Sequence, residues 1–266
     1  MVKTSKLPIF ARQLCKTYFI KEIETLNKFT ESEKAKRACS NCERTNCFVN
    51  RYCSPEWKTL LTKSKTTFIV PAGEEIFSKG QEVNGIYSVY SGYIKVFEPD
   101  EKAERIVDLV TGGQVLGYRG LGSSKLNYSV SAKALSDCEI TFFPLEIFNL
   151  AIKSNADLTF FIIDLLSDKL KKIETRSKNF PKMQAREKIV YAINKTIDAF
   201  GFDKTDTKRL SFSLSRKDIA NIAGITYETV IRVLSELDKQ GLIELDGKSI
   251  RILKMDYFEK EKIKCA

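Results

Sequence analysis

Four of the chain's seven cysteines crowd into one short stretch, Cys39-x2-Cys42-x4-Cys47-x5-Cys53. Thiolates are metal ligands, and in a reducing compartment such a group points to a metal rather than to disulfides. Close, unequal spacings let one loop wrap a compact centre, which suits four-cysteine iron–sulfur ligation. Zinc ribbons more often use two CxxC knuckles far apart. This loop has one, so structural Zn2+ is the alternative and a metal-free loop stays open. Lys36, Arg37, Arg44 and Arg51 flank the thiols and would offset the charge of four thiolates. A redox enzyme using the Cys39/Cys42 dithiol fits poorly, because no thioredoxin-like βαβ pattern surrounds it. Cys15 and Cys265 look incidental. The chain has no histidine, which excludes Ser-His-Asp and Cys-His catalysis, Cys2His2 zinc sites and histidine-ligated haem. It is read as a non-enzyme.

A second constellation lies at residues 215–240, SRKDIANIAGITYETVIRVLSELDKQ. Ser215-x-x-Asp218 is a capping box that opens a short helix, and Gly224 ends it where a tight turn needs positive φ. Thr226 caps a second helix with Val230, Val233, Leu234 and Leu237 on its inner face. Tyr227, Glu228, Ile231 and Arg232 face outward. Residues 242–252 then read as a hairpin about Asp246-Gly247. Helix, glycine turn, helix and β-wing make a winged helix-turn-helix, whose second helix fits a DNA major groove. Arg232 can donate twice to a guanine, and Glu228 can accept from a cytosine amine.

The rest of the chain must position these two groups. With 266 residues, 43% hydrophobic and 29% charged, it is long enough for two domains and is neither disordered nor membrane-bound. No apolar run approaches the ~20 residues that span a bilayer. The N-terminus lacks a signal peptide's apolar core, so the expectation is a cytoplasmic protein. Net charge is +6 over residues 1–62, zero over 63–181 and +4 over 182–266. A neutral middle between basic ends suggests that an end meets a polyanion. Residues 9–29 carry helical periodicity, and Ser54-Pro55 opens another short helix. Strands are expected at 68–70, 76–77, 86–90, 93–97, 105–109, 128–132 and 139–143, separated by glycines, as in an all-β barrel or roll. One long helix follows over 156–179, ended near Pro181. On it Thr159, Ile163, Leu166, Leu170 and Ile173 form an a/d seam, beside a second stripe of Leu158, Ile162 and Leu165. Two stripes ask for two partners, the roll and a twin helix; a core helix within one chain is the alternative. A further helix over about 183–200 leads into the head.

Roll, long helix and winged head, in that order, resemble the cyclic AMP receptor protein/FNR family of bacterial transcription regulators over about residues 60–255. The motif Glu228-Thr229-Val230-Ile231-Arg232 is similar to that family's recognition helix. The resemblance implies an α+β chain in four parts. These are an N-terminal helix and cysteine loop (1–62), a cyclic-nucleotide-binding-like β-roll (63–150), a dimerisation helix (151–181) and a winged helix-turn-helix (182–266). It implies a homodimer on palindromic double-stranded promoter DNA, with RNA polymerase as a partner and no membrane. Glu228 and Arg232 would read a core G·C pair in each half-site, and Arg216, Thr226 and Lys248 would contact the backbone. Ile231 stands where FNR-type readers carry serine and would favour a thymine methyl.

Cyclic-nucleotide members share Gly-Glu-Leu and, some ten residues on, Arg-Ser. This chain has Gly117-Tyr118-Arg119-Gly120 and Tyr128-Ser129 instead. Without the buried arginine a cyclic phosphate would be uncompensated, which argues against cyclic AMP. Tyr118, Arg119 and Tyr128 are left as the lining of a pocket for some other effector. FNR-type sensors add a fourth cluster ligand from the roll, and Cys138 falls at that position. It is the runner-up ligand, since members lacking a cluster bury a cysteine there. The function implied is a dimeric regulator sensing oxygen, redox state or nitric oxide through the cluster, which the resemblance makes a 4Fe-4S cluster. The alternative is a regulator with structural zinc or no metal and a small effector in the roll.

Overall fold

The computed structural model describes residues 38–42, 44–100, 104–121 and 126–265. The helix expected over 9–29, and Cys15 within it, lie outside the described residues. Two short helices come first, α1 (Phe48–Tyr52) inside the cysteine loop and α2 (Pro55–Ser64). Ser54 caps α2 by accepting from the Trp57 amide, with Pro55 in the first turn.

The roll follows as eight strands: β1 (Thr66–Val70), β2 (Glu75–Phe77), β3 (Gly85–Ser91), β4 (Tyr93–Pro99), β5 (Glu104–Thr111), β6 (Val115–Leu116), β7 (Ser131–Ala134) and β8 (Cys138–Pro144). They form two four-stranded antiparallel sheets, ordered β1-β8-β3-β6 and β2-β7-β4-β5. Side chains alternate across each strand, so Val89, Ile94, Val96, Val110, Ala132 and Ile140 meet between the sheets. Gly92 joins β3 to β4 at φ 99°, where a Cβ would stand 2.5 Å from the Cys138 sulfur. The strand expected at 128–132 starts instead at Ser131, because the backbone of Tyr128 pairs with a turn, its amide donating to the Gln81 carbonyl at 2.9 Å and its carbonyl accepting from the Gly80 amide at 2.8 Å.

Helix α3 (Leu145–Ser154), absent from the sequence reading, leads directly into α4 (Ala156–Asn179). On α4, Leu158 and Ile162 are buried with Phe48, Phe143 and Phe148, while Ile163, Leu166, Leu170 and Ile173 are exposed. The head comprises α5 (Ala185–Phe200), α6 (Arg216–Ala223), α7 (Tyr227–Lys239), the wing strands β9 (Ile243–Asp246) and β10 (Ser249–Ile252), and α8 (Met255–Cys265). Among the described residues no helix is long and apolar enough to cross a membrane.

Head and roll share one core. Phe97, Ile106 and Leu109 of the roll pack with Ile189, Ile193, Ile219 and Ile222 of the head. Tyr93 meets the rings of Phe200 and Phe212 at 4.7 and 4.8 Å. Polar links border this core. Lys195 on α5 donates to the Val107 carbonyl at 2.7 Å, Lys169 on α4 pairs with Asp108, and Arg176 donates to the Ile222 carbonyl at 3.0 Å.

Burial pulls the Lys195 pKa down from 10.5 to about 7, with Asp108 opposing and Arg176, Lys169 and Arg119 adding to the fall. At pH 6 folded and unfolded chains both carry the proton, and the cost of burying it is fully present. As pH rises from about 7 towards 10.5, the folded chain sheds the proton first and gains stability. Urea unfolding from pH 6 to 9 is expected to show this rise in the wild type and not in Lys195→Met. Parallel pH profiles for the two proteins would contradict it.

Candidate functional site

The outward face of α7 is built by its own capping and packing. Thr226 accepts from the Thr229 amide at 3.3 Å, and Gly224 supplies the left-handed turn at φ 59°. Val230, Val233, Leu234 and Leu237 are buried, which leaves Tyr227, Glu228, Ile231 and Arg232 exposed on the other side. Arg232 lies along the helix, paired with Glu236 at 2.9 Å. This exposed i,i+4 pair is weak enough to exchange for another acceptor. Arg216, expected at a phosphate, donates to the carbonyls of Gly247 and Lys248 at 2.9 and 3.1 Å in the chain without DNA. Its guanidinium braces the wing turn, and Lys248 sits over the Phe212 ring at 5.2 Å. The sequence held no signal for this brace, since Arg216 and the turn are about 30 residues apart.

The cysteine loop lies on the outer face of the β1-β8-β3-β6 sheet. Cys39, Cys42 and Cys47 line one cavity of about 260 Å3, together with Arg44, Lys65, Thr67, Ser88, Glu139 and Thr141. Cys53 caps the end of α1, buried in the cluster that holds Cys39, Phe48 and Leu61. Burial pushes the Cys47 thiol up. It pushes Cys53 up to about 12, helped by the neighbouring Cys47 and Cys39. The loop is closed by its own polar groups: Asn50 donates to the carbonyls of Cys42 and Arg44 at 3.1 and 3.0 Å, and the Cys39 amide donates to Thr62 at 2.9 Å. Among the described residues no three cysteine, aspartate or glutamate side chains converge closely enough to hold a metal ion. The expected four-sulfur cage is therefore not drawn together here. Three thiols open on one cavity and the fourth stands buried beside them.

Cys138 faces the other way. On β8 the cavity is lined by Glu139, Thr141 and Phe143, whereas Cys138 and Ile140 alternate into the core between the sheets. The Cys138 thiol donates to the carbonyls of Ser136 and Tyr93 at 3.1 and 3.4 Å. A strand's period of two keeps it from the cysteine cavity. The expected effector pocket also has a different form. Tyr118, Arg119 and Tyr128 do line one cavity, but it measures only about 10 Å3. Phe77 stacks on Tyr128 at 4.1 Å, and what space remains holds about one water. Aromatic side chains occupy the centre of the roll.

Residues 68–155 match the cyclic nucleotide-binding domain, and residues 194–261 match the Crp-like helix-turn-helix domain. The chain belongs to the Crp/FNR family. It is a DNA-binding transcription regulator, and its relatives are regulators rather than enzymes. It is 26% identical over 231 residues to regulatory protein HlyX of Actinobacillus pleuropneumoniae, covering 83% of this chain and 93% of that one. Electron transport regulator A of Shewanella oneidensis is 28% identical over 185 residues, with 69% and 73% covered. The fumarate and nitrate reduction regulatory protein of Salmonella typhimurium is 25% identical over 224 residues, with 79% and 86% covered. The fold is that of FixK2 from Bradyrhizobium japonicum, with a TM-score of 0.65 at 19% identity over 74% of this chain and 96% of that one.

The wing brace of this Crp/FNR regulator is testable by itself. Arg216→Ala is expected to speed amide exchange across residues 243–252 while α7 keeps its protection, because only the wing turn loses two acceptor contacts. Unchanged exchange in the wing would assign Arg216 no bracing role.

Proposed function

We propose that the chain is a homodimeric, sequence-specific regulator whose DNA affinity is set by an iron–sulfur cluster, of the 4Fe-4S type, on Cys39, Cys42, Cys47 and Cys53. The observation that carries this reading is the shared cavity of about 260 Å3 onto which three of these thiols open. It has room for a centre larger than one ion, and Arg44 and Lys65 on its walls balance thiolate charge. The donor set suits the cluster, and the loop bonds made by Asn50 and the Cys39 amide must yield for the sulfurs to converge. When bound, a cluster supplies a redox-active centre that oxygen or nitric oxide attacks. Cys138 is left as a core thiol. The near-closed cavity around Tyr128 weighs against the alternative of a small effector in the roll.

At the other end, Glu228 and Arg232 read a G·C pair, Ile231 meets a thymine methyl, Arg216, Thr226 and Lys248 contact the backbone, and Tyr227 joins them at the DNA. Arg232 must first leave Glu236. The exposed row Ile163, Leu166, Leu170 and Ile173 supports the dimer, since an apolar stripe of this length on one helix face needs a cover. A twin α4 supplies it and sets two heads on the two half-sites of a palindrome. RNA polymerase is the expected further partner and the cytoplasm the expected location, where thiols stay reduced.

Protein purified without oxygen is expected to be brown, with iron and sulfide in equal amounts and a broad absorbance that bleaches in air. A colourless protein with one zinc per chain would make the loop a structural staple and overturn the cluster. The seam has its own test. Leu166→Glu combined with Leu170→Glu is expected to give a monomer by light scattering, with operator affinity reduced at least ~100-fold through loss of the second half-site. A stable dimer in that double variant would refute the α4 interface.

A further inference from the structure

The floor of the cysteine cavity is a sheet face covered by the loop, and such a face is ordinarily apolar. Ile86 on β3 and Phe143 on β8 follow that rule. Between the loop and the sheet, however, three hydroxyls lie in one row across three strands. Ser88 on β3 stands opposite Thr141 on β8, and Thr141 stands opposite Thr67 on β1. Thr67 and Thr141 are hydrogen-bonded at 3.0 Å, Ser88 and Thr141 are buried, and all three line the cavity. Burying hydroxyls costs free energy unless they find partners. The Ser88 hydroxyl has one at the thiols, for its oxygen is 3.8 Å from the Cys47 sulfur.

We propose that Ser88 is a positioning residue of the sensor, its hydroxyl donating a hydrogen bond from the roll to the metal-bound Cys47 sulfur. The inference rests on the cluster reading above. A protonated thiol can give or receive in this contact, but a ligating thiolate has no proton and only accepts. Metal binding therefore gives the bond one direction and makes it charge-assisted. Hydrogen bonds to ligating sulfurs raise a cluster's reduction potential by stabilising the more negative, reduced form. Because the donor sits on β3, the bond also joins the loop to a strand whose neighbouring residue, Tyr87, packs on Phe77 inside the roll at 5.5 Å.

The test uses the full chain, loaded without oxygen with iron and sulfide, as wild type, Ser88→Ala, Ser88→Thr and Thr141→Val. Ser88→Ala is expected to load as much iron and sulfide as wild type. Its midpoint potential should be more negative and its absorbance should bleach in air at least ~3-fold faster, a smaller effect than the ~10-fold or more that losing an outer hydrogen-bond partner typically costs a metal site. Ser88→Thr, which keeps the hydroxyl, is expected to restore both values. Thr141→Val, which alters the same wall without touching Cys47, should shift both by less than half as much. A Ser88→Ala protein with wild-type potential and bleaching rate overturns the inference and leaves the cluster standing. So does a shift in Thr141→Val at least half that in Ser88→Ala, which would mean a general effect of wall polarity. Wild-type protein that takes up no iron or sulfide overturns the cluster reading, and this inference with it.

Discussion

An ammonium group that is almost out of water holds the reading head to the roll. Lys95 on β4 is 8% exposed and bonds both Glu104 on the neighbouring strand and Asp218 on α6, the latter at 2.9 Å. Burial pulls its pKa down, yet the two carboxylates more than offset that and raise it. Leaving such a charge buried without partners costs several kcal/mol, so the pair tolerates little separation. Asp218 is also the residue whose amide Ser215 caps. One residue thus takes part, through its amide, in the cap that opens the first helix of the DNA-binding motif and, through its carboxylate, ties that helix to the roll. The apolar core beneath, with Phe97, Ile106 and Leu109 inside the head's own cluster, makes the joint a packed interface rather than a link through loops alone.

That joint gives the molecule two opposite sides. The head covers the sheet that contains β4 and β5, and the cysteine loop covers the sheet that contains β1, β8 and β3. The roll stands between the cysteine loop and the head. Its interior offers little slack, since the Phe77, Tyr87, Tyr128 and Phe142 rings fill it. The long helix α4 touches both sides directly. Tyr52 of the loop stacks on Phe161 at 4.6 Å, and Arg176, four turns further along, donates to the end of α6. A change in the loop thus has two packed routes to the head, through the roll or along α4. The second route carries the exposed apolar row, so whatever covers that row bears on the same element.

Much of this was legible in the chain because the signals are local. The head carries a cap at Ser215, a glycine at 224, a cap at Thr226 and an Asp-Gly turn, each of which acts within a few residues. The two stripes on α4 follow from a period of 3.6 alone, and the structure buries Leu158 and Ile162 while exposing Ile163 and Leu170. Helix α3 was hidden because it begins directly on a strand at Pro144 with no side-chain cap. The strand at 128–132 was misread because Tyr128 has strand-like neighbours, while its backbone bonds the distant turn at Gly80 and Gln81.

The chain's own pattern was sufficient for the winged head, the roll, the long helix and the concentration of thiols, since spacing and capping act between near neighbours. It was not sufficient for which groups meet. Cys138 and Glu139 are adjacent in the chain, yet the pleat sends one into the roll and the other to the cysteine cavity. Arg216 is drawn to the wing, Lys95 to Asp218, and Ser88 to Cys47, across separations of 31, 123 and 41 residues. Contacts at such range depend on register and on how sheets are covered, and no local spacing records them.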